Sequence, residues 1–216
     1  IEVPADPPDD GPDAPRPTPA QWAAVRKAAG HRLSILTGLP GTGKTATMRA
    51  LVDLLRSHRR AVRLCAPTGK AARRLAESTG AEASTIHRLL EYVPGEGFAR
   101  DADDPLTGVD MLVVDEASML DVRLAAALLD AVGPRTHVLL VGDDDQLAPV
   151  GPGRVLGDLL ASGAVPSTRL TEVFRQAARS LIVRAAHAID RGEPPPTRAG
   201  PDDVRDFFVT ERDRPE

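Results

Sequence analysis

Apolar and polar positions fall along this chain in blocks. Four short, mostly apolar runs stand at Leu33 to Leu36, Val62 to Ala66, Met111 to Val114 and His137 to Val141. Runs of this length predict strands buried on both faces. Each is followed by a stretch whose apolar residues recur at helical intervals: Lys44 to Leu55, Lys70 to Glu77, Asp121 to Val132 and Gly153 to Ala161, with a further helix over Ser180 to Arg191. Thr18-Pro19 predicts a capped helix start ahead of Trp22, Val25 and Ala29. Alternation of this kind predicts an α/β domain, a mostly parallel central sheet with helices on both faces. The pattern breaks between Glu91 and Asp110, where Tyr92-Val93 and Phe98-Ala99 flank Pro94-Gly95-Glu96-Gly97. That turn chemistry predicts a small β-hairpin insertion, placed within residues 91–108. No repeat of 20 to 50 residues is present, which excludes solenoids and propellers.

Composition sets the boundaries. The chain has 216 residues, 42% of them hydrophobic, enough for one substantial core. Residues 1–17 are rich in Pro and Asp and bury too little apolar surface to offset their ordering entropy, so a disordered tail is expected there. The domain itself is expected over 18–192, with 193–216 as a linker. The chain opens with Ile1 and stops at Asp213-Arg214-Pro215-Glu216, which reads as a helix N-cap followed by Pro; both details suggest an excerpt of a longer protein.

The net charge of −4 argues against a nucleic-acid partner until its distribution is considered. Asp6, Asp9, Asp10 and Asp13 crowd the start, whereas Arg56, Arg59, Arg60, Arg63, Lys70, Arg73 and Arg74 cluster in the middle third. Arg56, Arg59 and Arg60 fit a solvated helix face; the others lie closer to a motif. Aromatics make up 3%, too few for a broad base-stacking platform, so any single-strand binding is expected to rest on phosphate contacts. Cys65 is the only cysteine, which suits a reducing cytoplasm, and no apolar run reaches the roughly 18 residues needed to span a bilayer.

Between the first apolar run and the helix after it stands Gly38-Leu39-Pro40-Gly41-Thr42-Gly43-Lys44-Thr45, a phosphate-binding loop in the right context. Its glycines let backbone N–H groups curl around phosphates, Lys44 neutralises the β and γ phosphates of ATP, and the Thr45 hydroxyl ligates Mg²⁺. Met111 to Val114 runs into Asp115-Glu116, with Asp115 expected at the metal and Glu116 as general base for the attacking water. A surface acidic pair is the plain alternative. A phosphate loop alone does not separate kinases, GTPases, transporters, AAA-type machines and helicases. Three further segments at strand exits narrow the field: Ala66-Pro67-Thr68-Gly69-Lys70-Ala71-Ala72, Ser84-Thr85-Ile86-His87-Arg88-Leu89-Leu90 and Gly142-Asp143-Asp144-Asp145-Gln146-Leu147-Ala148-Pro149-Val150.

Together these motifs resemble the superfamily 1 DNA helicases of the RecD-like branch, relatives of the exonuclease V alpha subunit, over nearly everything from Thr18 to Glu193. The resemblance implies the first of two RecA-like motor lobes: an ATPase that steps along single-stranded DNA, 5′ to 3′ in the family, and unwinds duplex DNA, with repair or recombination subunits as possible partners and a second lobe in the same full-length protein. It implies that Gln21 reads the adenine edge, which suits a side chain offering both donor and acceptor. Gln146 becomes the coupling glutamine near the γ-phosphate, and Arg175, in Leu170-Thr171-Glu172-Val173-Phe174-Arg175-Gln176, the arginine that reaches that phosphate. Pro67, Thr68, Lys70, Thr85 and His87 become single-strand contacts. The bland readings are an exposed helix residue for Gln21, a turn residue for Gln146, an ion pair for Arg175, a helix cap for Thr85 and a structural histidine for His87. The hairpin takes the place of the branch's strand-splitting pin. Leu39 stands where the family often has a small residue or Pro, and Ala148 replaces a Pro. Two other readings are a nucleotide-dependent DNA-binding subunit that does not unwind, and the helicase part of a plasmid relaxase.

Overall fold

A computed structural model describes residues 3–7, 16–196, 200 and 203–208. The chain divides into two units: Ile1–Gly38 with Lys44–Leu170, and Leu39–Gly43 with Thr171–Glu216.

The first unit is built on a six-stranded parallel sheet in the order β3-β2-β6-β7-β1-β8. Its strands are β1 (Leu33–Thr37), β2 (Val62–Ala66), β3 (Ala83–Thr85), β6 (Met111–Val114), β7 (His137–Gly142) and β8 (Ser167–Arg169). Successive side chains along a strand point to opposite faces. Leu36, Leu64, Val113, Leu139 and Val141 therefore enter one core with α1 (Pro19–Gly30), α2 (Lys44–Ser57) and α3 (Gly69–Thr79). Ile35, Cys65, Val114, Val138 and Leu140 enter a second core. There they meet α4 (Ile86–Leu89), α5 (Val122–Asp130), α6 (Val155–Ser162) and a 3₁₀ turn, Ala117–Met119. Both faces are covered, the arrangement that the block pattern predicts.

All four expected strands are present, with β1 and β7 each one residue longer than the apolar run. The two edge strands β3 and β8 were not expected. Each is three residues long and only partly buried, so neither carries an apolar run to reveal it. The hairpin consists of β4 (Tyr92–Val93) and β5 (Gly97–Phe98), paired antiparallel. Gly97 sits in the strand rather than the turn, and its φ of 102° suits a residue without Cβ.

Helix starts follow the expected chemistry. Thr18 caps α1 in a full capping box, Asp121 caps α5 through the N–H of Leu124, and Ser180 caps α8 (Leu181–Asp190). The tail expected over 1–17 lies partly outside the described residues. Where it is described, the Trp22 indole donates to the Pro4 carbonyl at 3.0 Å and Val3 packs on the first core. Residues 209–216, with the terminal cap expected there, lie outside the described residues. No helix among the described residues is long and apolar enough to cross a membrane.

The second unit joins the loop Leu39–Gly43 to α7 (Arg175–Ala178) and α8. A Cβ on Gly41 would lie 2.7 Å from the Ala177 Cβ, and Gly41 has a φ of 80°. Only glycine meets both conditions. The Gly41 carbonyl accepts from Phe174 N–H at 3.3 Å, and His187 Nε2 lies 3.0 Å from the Pro40 carbonyl.

Candidate active site

Parallel sheets place their sites beyond the C-terminal ends of the strands. Here β1 leads into the phosphate loop, β6 into Asp115-Glu116 and β7 into Asp143-Asp144-Asp145-Gln146. Gly38 and Lys44 flank the loop, and the Lys44 ammonium donates to the Gly38 carbonyl. Burial pushes the Lys44 ammonium below the usual lysine range; Asp143, Asp115, Glu116 and Asp144 pull it back up, in that order of strength. One half-buried cation thus faces four carboxylates from two neighbouring strand ends. Thr45 is exposed on the first turn of α2.

Asp115 and Glu116 differ in backbone setting. The Asp115 N–H continues the ladder to the Cys65 carbonyl at 2.9 Å, whereas Glu116 has a left-handed φ of 53° and caps the 3₁₀ turn. Such a backbone is uncommon outside glycine and concentrates at functional positions. Burial raises the Asp115 carboxyl above the usual range and the Glu116 charge adds to this, while the Glu116 N–H, Lys44 and Arg74 oppose it.

Within the loop itself, Gly41 and Gly43 have φ of 80° and 90°, and the buried Thr42 hydroxyl donates to the Leu39 carbonyl at 2.8 Å. Thr42 is thereby a brace of the loop. Gln146 is exposed, and its Oε1 accepts from Ser118 Oγ at 3.4 Å. Gln21 departs from the exposed residue of the plain reading. It is buried, and its Oε1 accepts from the Thr18 N–H at 2.8 Å as the return half of the capping box. Arg175 opens α7, but its side chain lies outside the described residues.

The residues expected at DNA gather at one corner of the sheet. Thr68 and Thr85 leave the adjacent strands β2 and β3, where Ala66 and Thr85 are register partners. Both hydroxyls cap helices, accepting from Ala71 N–H at 3.2 Å and Arg88 N–H at 3.1 Å. Pro67 is half-buried, Lys70 exposed. His87 is exposed and meets the hairpin, its ring centroid 5.3 Å from that of Tyr92 and 5.5 Å from that of Phe98, which are 5.1 Å apart. A chain poor in aromatics thus concentrates two of them against His87. Of the basic cluster, Arg56 donates to the Gly80 carbonyl, Arg60 pairs with Asp110 and Arg73 with Glu77, in keeping with the solvated-face reading for Arg56 and Arg60.

Thr37, Ser118 and Arg169, given no role from sequence, all touch the segment after β7. Gly142 ends β7 just before it. A Cβ on Gly142 would lie 2.6 Å from Leu156 Cδ2 and 3.1 Å from the Ser118 nitrogen, so the absence of a side chain lets the two acidic strand exits approach. An open cavity of about 630 Å³ lies at the opposite end of the strands, lined by Arg60, Asp110, Arg135, Thr136 and His137 among others. It is remote from these residues, and its Arg60 and Asp110 already pair with each other.

A family model described as an AAA domain matches residues 16–204. The chain belongs to the AAA-domain family. This AAA domain is 51% identical over 175 residues to the ATP-dependent RecD2 DNA helicase of Deinococcus radiodurans, a match covering 81% of the chain and 24% of that protein. It is 38% identical over 211 residues to the RecBCD enzyme subunit RecD of Mycobacterium tuberculosis, covering 84% and 36%. The AAA domain therefore spans about a quarter to a third of the length of these curated relatives. In fold it is similar to the Pif1 helicase from Candida albicans, with a TM-score of 0.57 and 21% identity over 76% of this chain and 41% of that one. Family membership implies nucleotide binding.

Proposed function

We propose that this chain is the ATP-hydrolysing motor lobe of a RecD-like DNA helicase. The observation that carries the reading is Lys44, a half-buried ammonium directly after a glycine loop, facing Asp115 and Glu116 from β6 and Asp143 and Asp144 from β7. A cation in that position, donating to its own strand end at Gly38, is suited to transfer to a polyphosphate. The donor set also fits magnesium, a hard cation that prefers oxygen ligands. Thr45 and Asp115 would hold it, and when bound it supplies charge neutralisation between the β and γ phosphates.

In this reading the N–H groups around Gly41 and Gly43 bind and orient the phosphates. Lys44 leaves the Gly38 carbonyl for the γ-phosphate. Glu116, turned away from Asp115 by its left-handed backbone, accepts the proton of the attacking water. Gln146 and Arg175 stand at the γ-phosphate, and Gln21 reads the adenine edge. Thr68 and Thr85 accept N–H bonds as caps, so their hydroxyl protons remain directed to other acceptors, and phosphate oxygens of single-stranded DNA suit them. Pro67, Lys70 and His87 complete the strand track. The Tyr92-to-Phe98 hairpin divides duplex DNA as a pin. A second lobe of the same full-length protein closes the site, repair or recombination subunits are its further partners, and Cys65, buried and unpaired with another cysteine, suits a cytoplasmic setting.

The test has two parts. Glu116→Gln should bind magnesium-ATP like the parent and hydrolyse it about a hundredfold to a thousandfold more slowly. In the full-length protein, single-turnover unwinding should proceed on duplexes with a 5′ tail and not a 3′ tail, and deleting the hairpin should end unwinding while sparing DNA-stimulated hydrolysis. Full hydrolysis by Glu116→Gln would overturn the general-base role; unwinding without the hairpin would overturn the pin.

A further inference from the structure

Register places Gly142, Thr37 and Arg169 in one row across the C-terminal ends of β7, β1 and β8. The chain leaving β7 folds back over that row. Asp144 Oδ1 accepts from the Thr37 hydroxyl, and its Oδ2 accepts from Arg169 at 3.0 Å. The other arm of the Arg169 guanidinium donates to Asp145 Oδ2 at 2.5 Å. Asp143 is buried, and its Oδ1 accepts the Asp145 N–H at 3.2 Å. Gln146 then continues the turn, its N–H on the Asp143 carbonyl at 3.3 Å.

Three carboxylates with oxygens within 4.8 Å of one another, beside a phosphate loop, pose an electrostatic problem. They would repel an incoming triphosphate and compete with it for Lys44, which already feels Asp143 and Asp144. A guanidinium is suited to resolve this, because its planar fork holds two carboxylates at once and stays charged at any physiological pH. Its occupation of Asp144 and Asp145 also offsets part of the charge of the acidic run and takes up oxygens that a cation would need.

We propose that Arg169 is a positioning residue of the nucleotide site, offsetting part of the charge of Asp144 and Asp145 and latching the turn that carries Gln146 to the edge strand β8. The inference rests on the nucleotide-binding reading above. Without Arg169 the turn keeps only the Thr37 hydroxyl on Asp144 from this pair of anchors, and the net charge near the phosphates becomes more negative by one.

The experiment titrates this chain with a fluorescent ATP analogue and magnesium, comparing the parent with Lys44→Ala, Arg169→Gln, Arg169→Lys and the double variant Arg169→Gln with Asp145→Asn. Arg169→Gln should bind about fivefold more weakly at low ionic strength, with the gap narrowing as salt is raised. Arg169→Lys should keep most of the affinity, and the double variant should recover most of it. Thermal melting of each variant reports on folding. Parent-like binding by Arg169→Gln overturns the inference. So does a weakening that ignores salt and is not relieved by Asp145→Asn, which would make Arg169 a structural prop only. If the parent binds no better than Lys44→Ala, the nucleotide reading itself fails and this inference with it; if Lys44→Ala loses binding and Arg169→Gln does not, only this inference fails.

Discussion

The two ends of the parallel sheet in the first unit are built on opposite principles. At the N-terminal ends of the strands, three side chains tie neighbouring segments together. Asp110 accepts from the Ala61 N–H at 2.8 Å and from Arg60 at 3.3 Å, the Thr136 hydroxyl donates to the Val109 carbonyl at 2.7 Å, and Arg32 donates to the Thr136 carbonyl at 3.3 Å. At the C-terminal ends the chain gathers a desolvated ammonium, a carboxyl raised by burial, a left-handed glutamate and a glycine squeezed between α6 and the 3₁₀ turn. One end is arranged to hold the strands together. The other gathers desolvated charge and left-handed backbone, features that cost stability and concentrate at functional positions.

This contrast can be broken most forcefully at Lys44. Lys44→Ala should lower ATP hydrolysis at least about a hundredfold, the scale of losing a transition-state charge contact. Calorimetric melting of the same unliganded variant should show no loss of stability, because a desolvated charge is removed; a large drop in melting temperature would contradict the division of labour. Next in size is Gly142→Ala, whose Cβ would overlap Leu156 and crowd the Ser118 backbone. It should cost about 1–3 kcal/mol in denaturant unfolding and also weaken nucleotide binding, since both acidic strand exits must shift. Asp110→Ala, at the opposite end, should cost about 1 kcal/mol of stability and leave nucleotide binding at the parent value. A change in nucleotide affinity there would erase the distinction between the two ends.

The smallest effect is in pH dependence. Asp115 has a folded-state pKa raised by burial, so between the ordinary carboxylate value and the raised one the folded chain holds more protons than the unfolded chain. Its contribution to stability is therefore present at low pH and falls as pH rises through that window. Lys44 is lowered, so its cost is full at neutral pH and is relieved as pH climbs towards the ordinary lysine value. Asp115→Asn should flatten the acid side of the stability profile of the unliganded chain; an unchanged slope would remove Asp115 as a strained group.

The same division explains what the sequence made legible. The central strands announced themselves because burial on both faces demands apolar runs, and the phosphate loop because phosphate chemistry demands glycines and a lysine at fixed spacing. Edge strands β3 and β8 carry no such demand, since one side of each is open and three residues suffice. Asp115 and Glu116 were readable as a pair because they abut an apolar strand. Arg169 was not, because its significance lies in register: it is the neighbour of Thr37 across a strand pair that sequence did not predict. Gln21 was singled out for its amide, while Thr18 was identified as a cap without the reciprocal bond that buries that amide.

Gly41 has a further implication. The segment following Leu170 leans on the phosphate loop so tightly that a single methyl group would not fit, and it also reaches the loop's backbone through Phe174 and His187. The shape of the cradle is thus under the control of chain that lies far downstream. A displacement along α8 would therefore be felt first at Pro40 and Gly41, through His187 and Val183.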